Sequence, residues 1–329
     1  MKRDIAMNPN APDGDYTMLI DPGLRMAAPD VGATTIDFER LWRKGRPPAP
    51  PEDSLPLHPD IAEISIPGPG GAPPLPLLVM NAGARGAPRP IVLFLHGGGY
   101  IGGSVRREAP RMQEVARVHD CIVICLDYRL APEAPFPAAR DDSYAALAWI
   151  HANAEVLGGD AARIVVFGES AGAGLAAQLT LVARDRGEFP IRAQILVYPM
   201  IDDRAGSSRI PAPHIGSFIW TGASNRFGWK CYLGTEPGGD DISPEAAPAR
   251  ATDLAGLPPA WIGVGGLDLF VDESIAYAQR LIAAGVPTGL LVLPGAYHGF
   301  NRRAPDAPIS RAFNAAWNEA LTGYFAMGG

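Results

Sequence analysis

The apolar run Ile164-Val165-Val166-Phe167 leads directly into Gly168-Glu169-Ser170-Ala171-Gly172, and that pentapeptide opens an Ala-rich segment. A strand, a sharp turn and a helix follow from this order. A serine at the apex of such a turn is held in a strained backbone conformation with its oxygen exposed, and only residues without bulky side chains fit on either side. Gly168 and Gly172 meet that need. The Gly-x-Ser-x-Gly pattern alone also describes an ordinary turn in a chain with 38 glycines; the strand before it and the helix after it make Ser170 a candidate nucleophile.

From residue 61 onward, short apolar runs bounded by Gly and Pro alternate with longer segments of helical periodicity, as in an α/β domain. Strands are expected near 61–66, 75–80, 90–95, 121–126, 164–167, 193–198, 260–264 and 289–293. Helices are expected near 106–118, 139–153, 171–186, 272–284 and 307–326. The first two strands are close enough for a hairpin around Pro67-Gly68-Pro69-Gly70-Gly71, and the later spacings suit right-handed crossovers. The expectation is an eight-stranded, mostly parallel sheet with an antiparallel edge. In the last helix, Phe313, Ala316, Trp317, Ala320, Leu321 and Tyr324 repeat at helical spacing and read as core.

Two segments break the alternation. Residues 1–50 end in a Pro-rich stretch, and residues 202–257 are rich in Pro, Gly and aromatic side chains. A connection as long as the second needs a reason, and a lid with an apolar inner surface supplies one. Phe218, Ile219, Trp220, Phe227, Trp229, Tyr232 and Leu233 would form that surface or simply hold the insertion together.

Length and charge narrow the partners. The 329 residues, 47% hydrophobic, provide ample core volume, and the net charge of −7 comes without a Lys/Arg stripe. Nucleic acid is not an expected partner. No apolar h-region follows the start and no apolar stretch reaches membrane-spanning length, so a cytoplasmic location and no membrane association are expected. Cys121, Cys125 and Cys231 are too few and scattered for a disulfide framework or a zinc site, and the six histidines form no ligand pair. Neither a metal nor a cofactor is called for.

A serine hydroxyl needs a base to take its proton and an acid to hold that base in one tautomer. For this turn type the chain order is serine, acid, histidine. His298 follows the strand at 289–293 and lies on the carboxyl edge of the sheet, where α/β domains place ligands; His214 falls within the proposed lid. Asp268 follows the strand at 260–264 on the same edge. Asp202 and Asp203, after the strand at 193–198, are the alternative, whereas Asp272 and Glu273 suit the start of the next helix. His96-Gly97-Gly98-Gly99-Tyr100 follows another strand, and its Gly97 and Gly98 amides, with that of Ala171, are placed to receive a developing oxyanion. His96 would steady this loop. Tyr100, Phe218 and Trp220 are the expected substrate-contacting residues.

These stretches, with Asp127-Tyr128-Arg129-Leu130-Ala131-Pro132-Glu133, Gly266-Leu267-Asp268-Leu269-Phe270-Val271-Asp272-Glu273 and His298-Gly299-Phe300, resemble the hormone-sensitive-lipase-like family of α/β-hydrolase carboxylesterases over residues 60 to 326. The resemblance implies an α/β-hydrolase fold and hydrolysis of short- to medium-chain acyl esters through an acyl-enzyme. It implies Ser170, Asp268 and His298 as the triad, Gly97, Gly98 and Ala171 as oxyanion donors, and a bracing role for 127–133. It further implies a cap from 1–50 and 202–257, with the catalytic domain in two parts, 51–201 and 258–329. Many members carry Asp-Pro-Leu where this chain has Asp268-Leu269-Phe270, and the role of Glu169 is open beyond that of a buried hydrogen-bonding group. A small-molecule binding protein that has lost catalysis and an amidase or carbamate hydrolase are the competing readings. The partner expected is a small-molecule ester, and the strand at 289–293 is an edge on which a second copy could pair.

Overall fold

The central apolar runs become strands because both of their faces find a cover. The computed structural model describes residues 16–28 and 61–327. Its strands are β1 (Ile61–Ile66), β2 (Leu75–Met80), β3 (Arg89–Leu95), β4 (Ile122–Leu126), β5 (Gly159–Glu169), β6 (Ala193–Val197), β7 (Ala260–Gly265) and β8 (Thr288–Leu293), in the sheet order β1-β2-β4-β3-β5-β6-β7-β8. β1 pairs antiparallel with β2, and β2 with β4; every later pairing is parallel. β3, β4, β6 and β7 are buried at every residue, as parallel strands covered on both faces must be.

The strand period of two sorts side chains into two apolar layers. Ile91, Leu93 and Leu95 face helices α2 (Ala138–Asn153), α3 (Ala171–Arg186) and α5 (Val271–Ala283), while Val92 and Phe94 face α1 (Val105–Val118) and α7 (Pro308–Ala326). Phe313, Trp317 and Leu321 are the buried stripe of α7, at the spacing read from the sequence. Cys121 and Cys125 are free core thiols, and burial pushes that of Cys121 up to about 12. No helix among the described residues is long and apolar enough to cross a membrane.

Two elements differ from expectation. β5 begins at Gly159, five residues before the apolar run, because its polar start pairs with Arg89 across a register shift. The insertion between β6 and β7 contains a helix, α4 (Gly222–Leu233), whose inward face is Ser224, Asn225, Gly228, Trp229 and Tyr232. Two aromatics set among small and polar residues make no continuous apolar stripe, and the helix is bounded by its caps: Thr221 accepts the Ser224 N–H, and Gly234 ends the helix at φ +70°.

Only residues 16–28 of the expected N-terminal cap segment lie within the described residues. Ile20 and Leu24 join the apolar layer that holds Ala296, Tyr297 and Phe300, and the Asp21 N–H donates to the Gly295 carbonyl at 3.0 Å. This segment therefore packs beside the loop that carries His298.

Candidate active site

Ser170 occupies the turn between β5 and α3 at φ +54°, ψ −119°. A non-glycine residue adopts such a conformation only where its surroundings fix it. Here its N–H donates to the Val197 carbonyl at 2.9 Å, and its own carbonyl accepts from Gly174 (3.0 Å) and Met200 (3.1 Å). The turn is thus bolted to the end of β6. A Cβ at Gly172 would collide with the Leu95 carbonyl, so the helix after the serine can pass this close to the end of β3 only as glycine.

Asp268 and His298 meet across the ends of β7 and β8. The His298 Nδ1–H donates to Asp268 Oδ2 at 2.8 Å, while Asp268 Oδ1 accepts the Phe270 N–H at 3.0 Å. Asp268 is fully buried. An ionised carboxylate only accepts, so the proton lies on Nδ1 and Nε2 is left as the acceptor. The imidazole is walled by Tyr198, Phe270 and Trp220, at centroid distances of 4.7, 5.2 and 6.3 Å. Ser170 and His298 are 6% and 7% exposed, so the pair is enclosed yet touched by solvent.

The glycine loop after β3 lies against the serine turn: a Cβ on Gly97 would stand 3.4 Å from that of Ser170. Gly98, at φ +134°, has no room for a side chain against the Gly102 backbone. Among the described residues, the N–H groups of Gly97, Gly98 and Ala171 donate to no protein acceptor. Loose amides in a buried turn would be costly unless something else fills them. His96 holds the loop from behind. Its Nδ1–H donates to the Gly97 carbonyl at 2.8 Å, its ring stacks on Tyr128 at 4.3 Å, and burial pushes its pKa down, so it stays neutral. The Tyr128 hydroxyl donates to the His96 carbonyl at 2.6 Å, and Arg129 pairs with buried Asp142 at 2.6 Å.

Three expectations on substrate contact fare differently. Trp220 lies over Gly99 and beside His298, with its indole N–H donating to Asn225 Oδ1 at 3.0 Å. Tyr100 and Phe218 lie in core surroundings. The Tyr100 ring stacks on Tyr232 at 4.0 Å and its hydroxyl donates to the Met200 carbonyl at 2.9 Å, deep in the core between the glycine loop and α4. Phe218 is fully buried and packs 6.0 Å from Tyr297. Aromatic character marks pocket walls and core alike, so residue type gave no means of separating them.

The partners of Glu169, expected only as a buried hydrogen-bonding group, were not read from the sequence. Glu169, adjacent to Ser170, pairs with Arg111 at 2.8 Å and with Arg302 at 3.3 Å. Glu273 lies in the first turn of α5, as expected, and is buried there, its Oε1 accepting the N–H groups of Ile201 (2.7 Å) and Asp202 (3.1 Å). The nearness of Arg302 to His298 in sequence was the one available signal for the partners of Glu169.

A family model described as alpha/beta hydrolase fold matches residues 92–302. The chain is 35% identical over 261 residues to Esterase LipI of Mycobacterium tuberculosis, covering 78% of this chain and 80% of the relative. It is 39% identical over 231 residues to Carboxylesterase NlhH of the same species, covering 67% and 69%. Among solved structures, one titled Bacterial Heroin Esterase superposes with a TM-score of 0.81 at 35% identity, over 95% of this chain and 100% of the other. The chain therefore belongs to the α/β-hydrolase fold family, among its hormone-sensitive-lipase-like members. It is a carboxylic-ester hydrolase.

Proposed function

We propose that this chain hydrolyses short- to medium-chain acyl esters through an acyl-enzyme on Ser170, with His298 as base and Asp268 as the group that orients it. The hydrogen bond from His298 Nδ1 to Asp268 carries the reading, because it leaves Nε2 free to take a proton. Ser170 Oγ attacks the ester carbonyl carbon as its proton passes to Nε2. The carbonyl oxygen takes the negative charge and is received by the amides of Gly97, Gly98 and Ala171, each such donor worth about 10²- to 10³-fold in rate. On collapse the C–O bond to the alcohol breaks and Nε2 returns the proton to the leaving oxygen. Water then repeats the sequence on the acyl-enzyme, releasing the acid and restoring Ser170.

Residues 202–257, with the N-terminal segment, act as the cap. The contact of Trp220 with His298 and the approach of Tyr16 to His214, 6.1 Å between ring centroids, support that role. The enclosure of Ser170 favours short acyl groups. Pairing of a second copy along β8, whose Leu290 and Val292 are exposed at the sheet edge, belongs to the same proposal; light scattering that gives only the monomer mass overturns it. The test of the reaction is a p-nitrophenyl ester series from acetate to palmitate with wild type and Ser170→Ala. The expected result is a maximum at short chains and no burst or turnover in the variant. Unchanged hydrolysis by Ser170→Ala removes the mechanism, and a maximum at palmitate removes the chain-length assignment.

A further inference from the structure

Four charged side chains from three separate segments meet behind the serine turn. Glu169 immediately precedes Ser170. Arg302 lies four residues beyond His298, on the short helix α6 (Phe300–Arg303), while Glu108 and Arg111 come from α1, the helix that follows the glycine loop. Arg302 bridges Glu108 at 3.0 Å and Glu169 at 3.3 Å; Arg111 bridges Glu108 at 3.1 Å and Glu169 at 2.8 Å. Each arginine thus spans both carboxylates. The Arg111 guanidinium also rests on the faces of Phe94 and Phe167, 5.4 and 5.9 Å from their centroids, which fixes its position on the sheet.

A carboxylate withdrawn from water beside a nucleophile is an awkward neighbour. It opposes the negative charge that develops on the substrate and favours the protonated form of a nearby base. An apolar residue would fill the same space without that conflict. Here two cations offset the two anions, and the formal charge of the group is zero. Burial opposes ionisation of both Glu108 and Arg302, yet it is outweighed: Arg111 and Arg302 hold Glu108 below the usual carboxylate range, and Glu169 and Glu108 keep Arg302 charged.

We propose that Arg302 is a positioning residue of the reaction: through Glu169 and Glu108 it clamps the histidine loop to the serine turn and to α1, and keeps the local charge balanced beside His298. This rests on the proposed roles of Ser170 and His298. The other ionisable groups facing His298 are Asp268 from the loop after β7, Tyr198 from the end of β6 and, behind Asp268, Glu273 on α5. Burial pushes Tyr198 and Glu273 well up. Tyr198 feels the same four charges, Glu169, Arg302, Arg111 and Glu108, but burial is the larger influence on it and keeps its hydroxyl neutral, so the effect of the quartet on the base is separable.

The experiment is the pH dependence of kcat/KM for a p-nitrophenyl ester, with thermal melting of each variant. Arg302→Gln leaves the quartet at −1: its acid limb should move up by about half a pH unit, with kcat down about tenfold and KM little altered. Glu169→Gln leaves it at +1, and the limb should move down. The double variant restores neutrality and should return the limb to the wild-type position even if kcat stays low. Arg302→Lys keeps the charge without the fork, so its limb should stay and its kcat should exceed that of Arg302→Gln. A purely structural brace predicts lower melting temperatures with all acid limbs coincident; that result, or limbs displaced in the same direction by both single variants, overturns the proposal. If Arg302→Gln does not fold, Glu169→Gln alone decides, a stationary limb overturning the proposal. Activity surviving in Ser170→Ala would instead strike the underlying mechanism, and it is read at a single pH.

Discussion

The loop after β6 carries Asp202 and Asp203, and the loop after β7 carries Asp268, so adjacent parallel strands deliver carboxylates to the same edge of the sheet. Asp202 is held by Arg204 at 2.7 Å and Arg209 at 3.0 Å, and Asp203 by Arg250 at 2.6 Å. Asp203 also accepts the Gly238 N–H at 2.6 Å, tying together the two ends of the insertion's outer loop. Asp268 has one backbone N–H on one oxygen and the imidazole on the other. Position at a strand end is therefore common to all three, and the partner decides the role. An arginine fork saturates a carboxylate and makes it a fastener, whereas an imidazole leaves a base free at its far nitrogen.

The largest expected effect tests the Asp268 side of this contrast. Asp268→Asn should lower kcat/KM by about a thousandfold or more, because the amide no longer selects the Nδ1–H tautomer, while thermal melting changes little. A variant within tenfold of wild type would mean that the acid lies elsewhere. Next comes Asp203→Ala, which strands the guanidinium of Arg250 and should cost about 3 kcal/mol in denaturant unfolding, with kcat nearly retained. Loss of kcat in a protein that still melts cooperatively would erase the distinction between the two loops.

Glu273 joins the loops, since it begins the helix after Asp268 and accepts the N–H groups at the start of the Asp202 loop. Burial and the nearby Asp202 push its carboxyl well above the usual range. A raised folded-state pKa gives stability that is complete below the unfolded value and is lost as pH rises toward the folded one. Glu273→Gln keeps the acceptor without this dependence. Melting of both proteins from pH 5 to pH 8 should therefore widen in favour of the variant, by about 1 kcal/mol or more; a constant gap would show that Glu273 stays ionised. The smallest change is expected for Asp202→Asn, under about 1 kcal/mol, because Arg209 is 60% exposed. Urea titration resolves a loss of that size, and a loss matching that of Asp203→Ala would make the two fasteners equivalent.

Much of this arrangement is legible in the sequence. Runs such as Ile91–Leu95 and Ile164–Phe167 can only be strands buried on both faces, and Gly172 beside a turn serine announces a close backbone crossing. The choice of Asp268 over Asp202 and Asp203 rested on its place one strand from His298 on the same edge within the serine, acid, histidine order, and its carboxylate lies 2.8 Å from His298 Nδ1. The α4 helix was not legible, since its inward face sets Trp229 and Tyr232 among small and polar residues and shows no continuous apolar stripe. Nor was the fate of Tyr100 and Phe218, because an aromatic side chain suits a core as well as a pocket.

By itself the sequence determined the order of the strands and of the helices that cover the sheet, the strained serine turn and the glycine loop, because periodicity and the absence of a Cβ are local properties. Only the tertiary structure decided which carboxylate meets the imidazole and which meets an arginine. It alone brought Glu169, Glu108, Arg111 and Arg302 together behind Ser170. Charge pairing depends on distance in space, and residues 194 positions apart, such as Glu108 and Arg302, become neighbours only when the strands that precede them lie in one sheet.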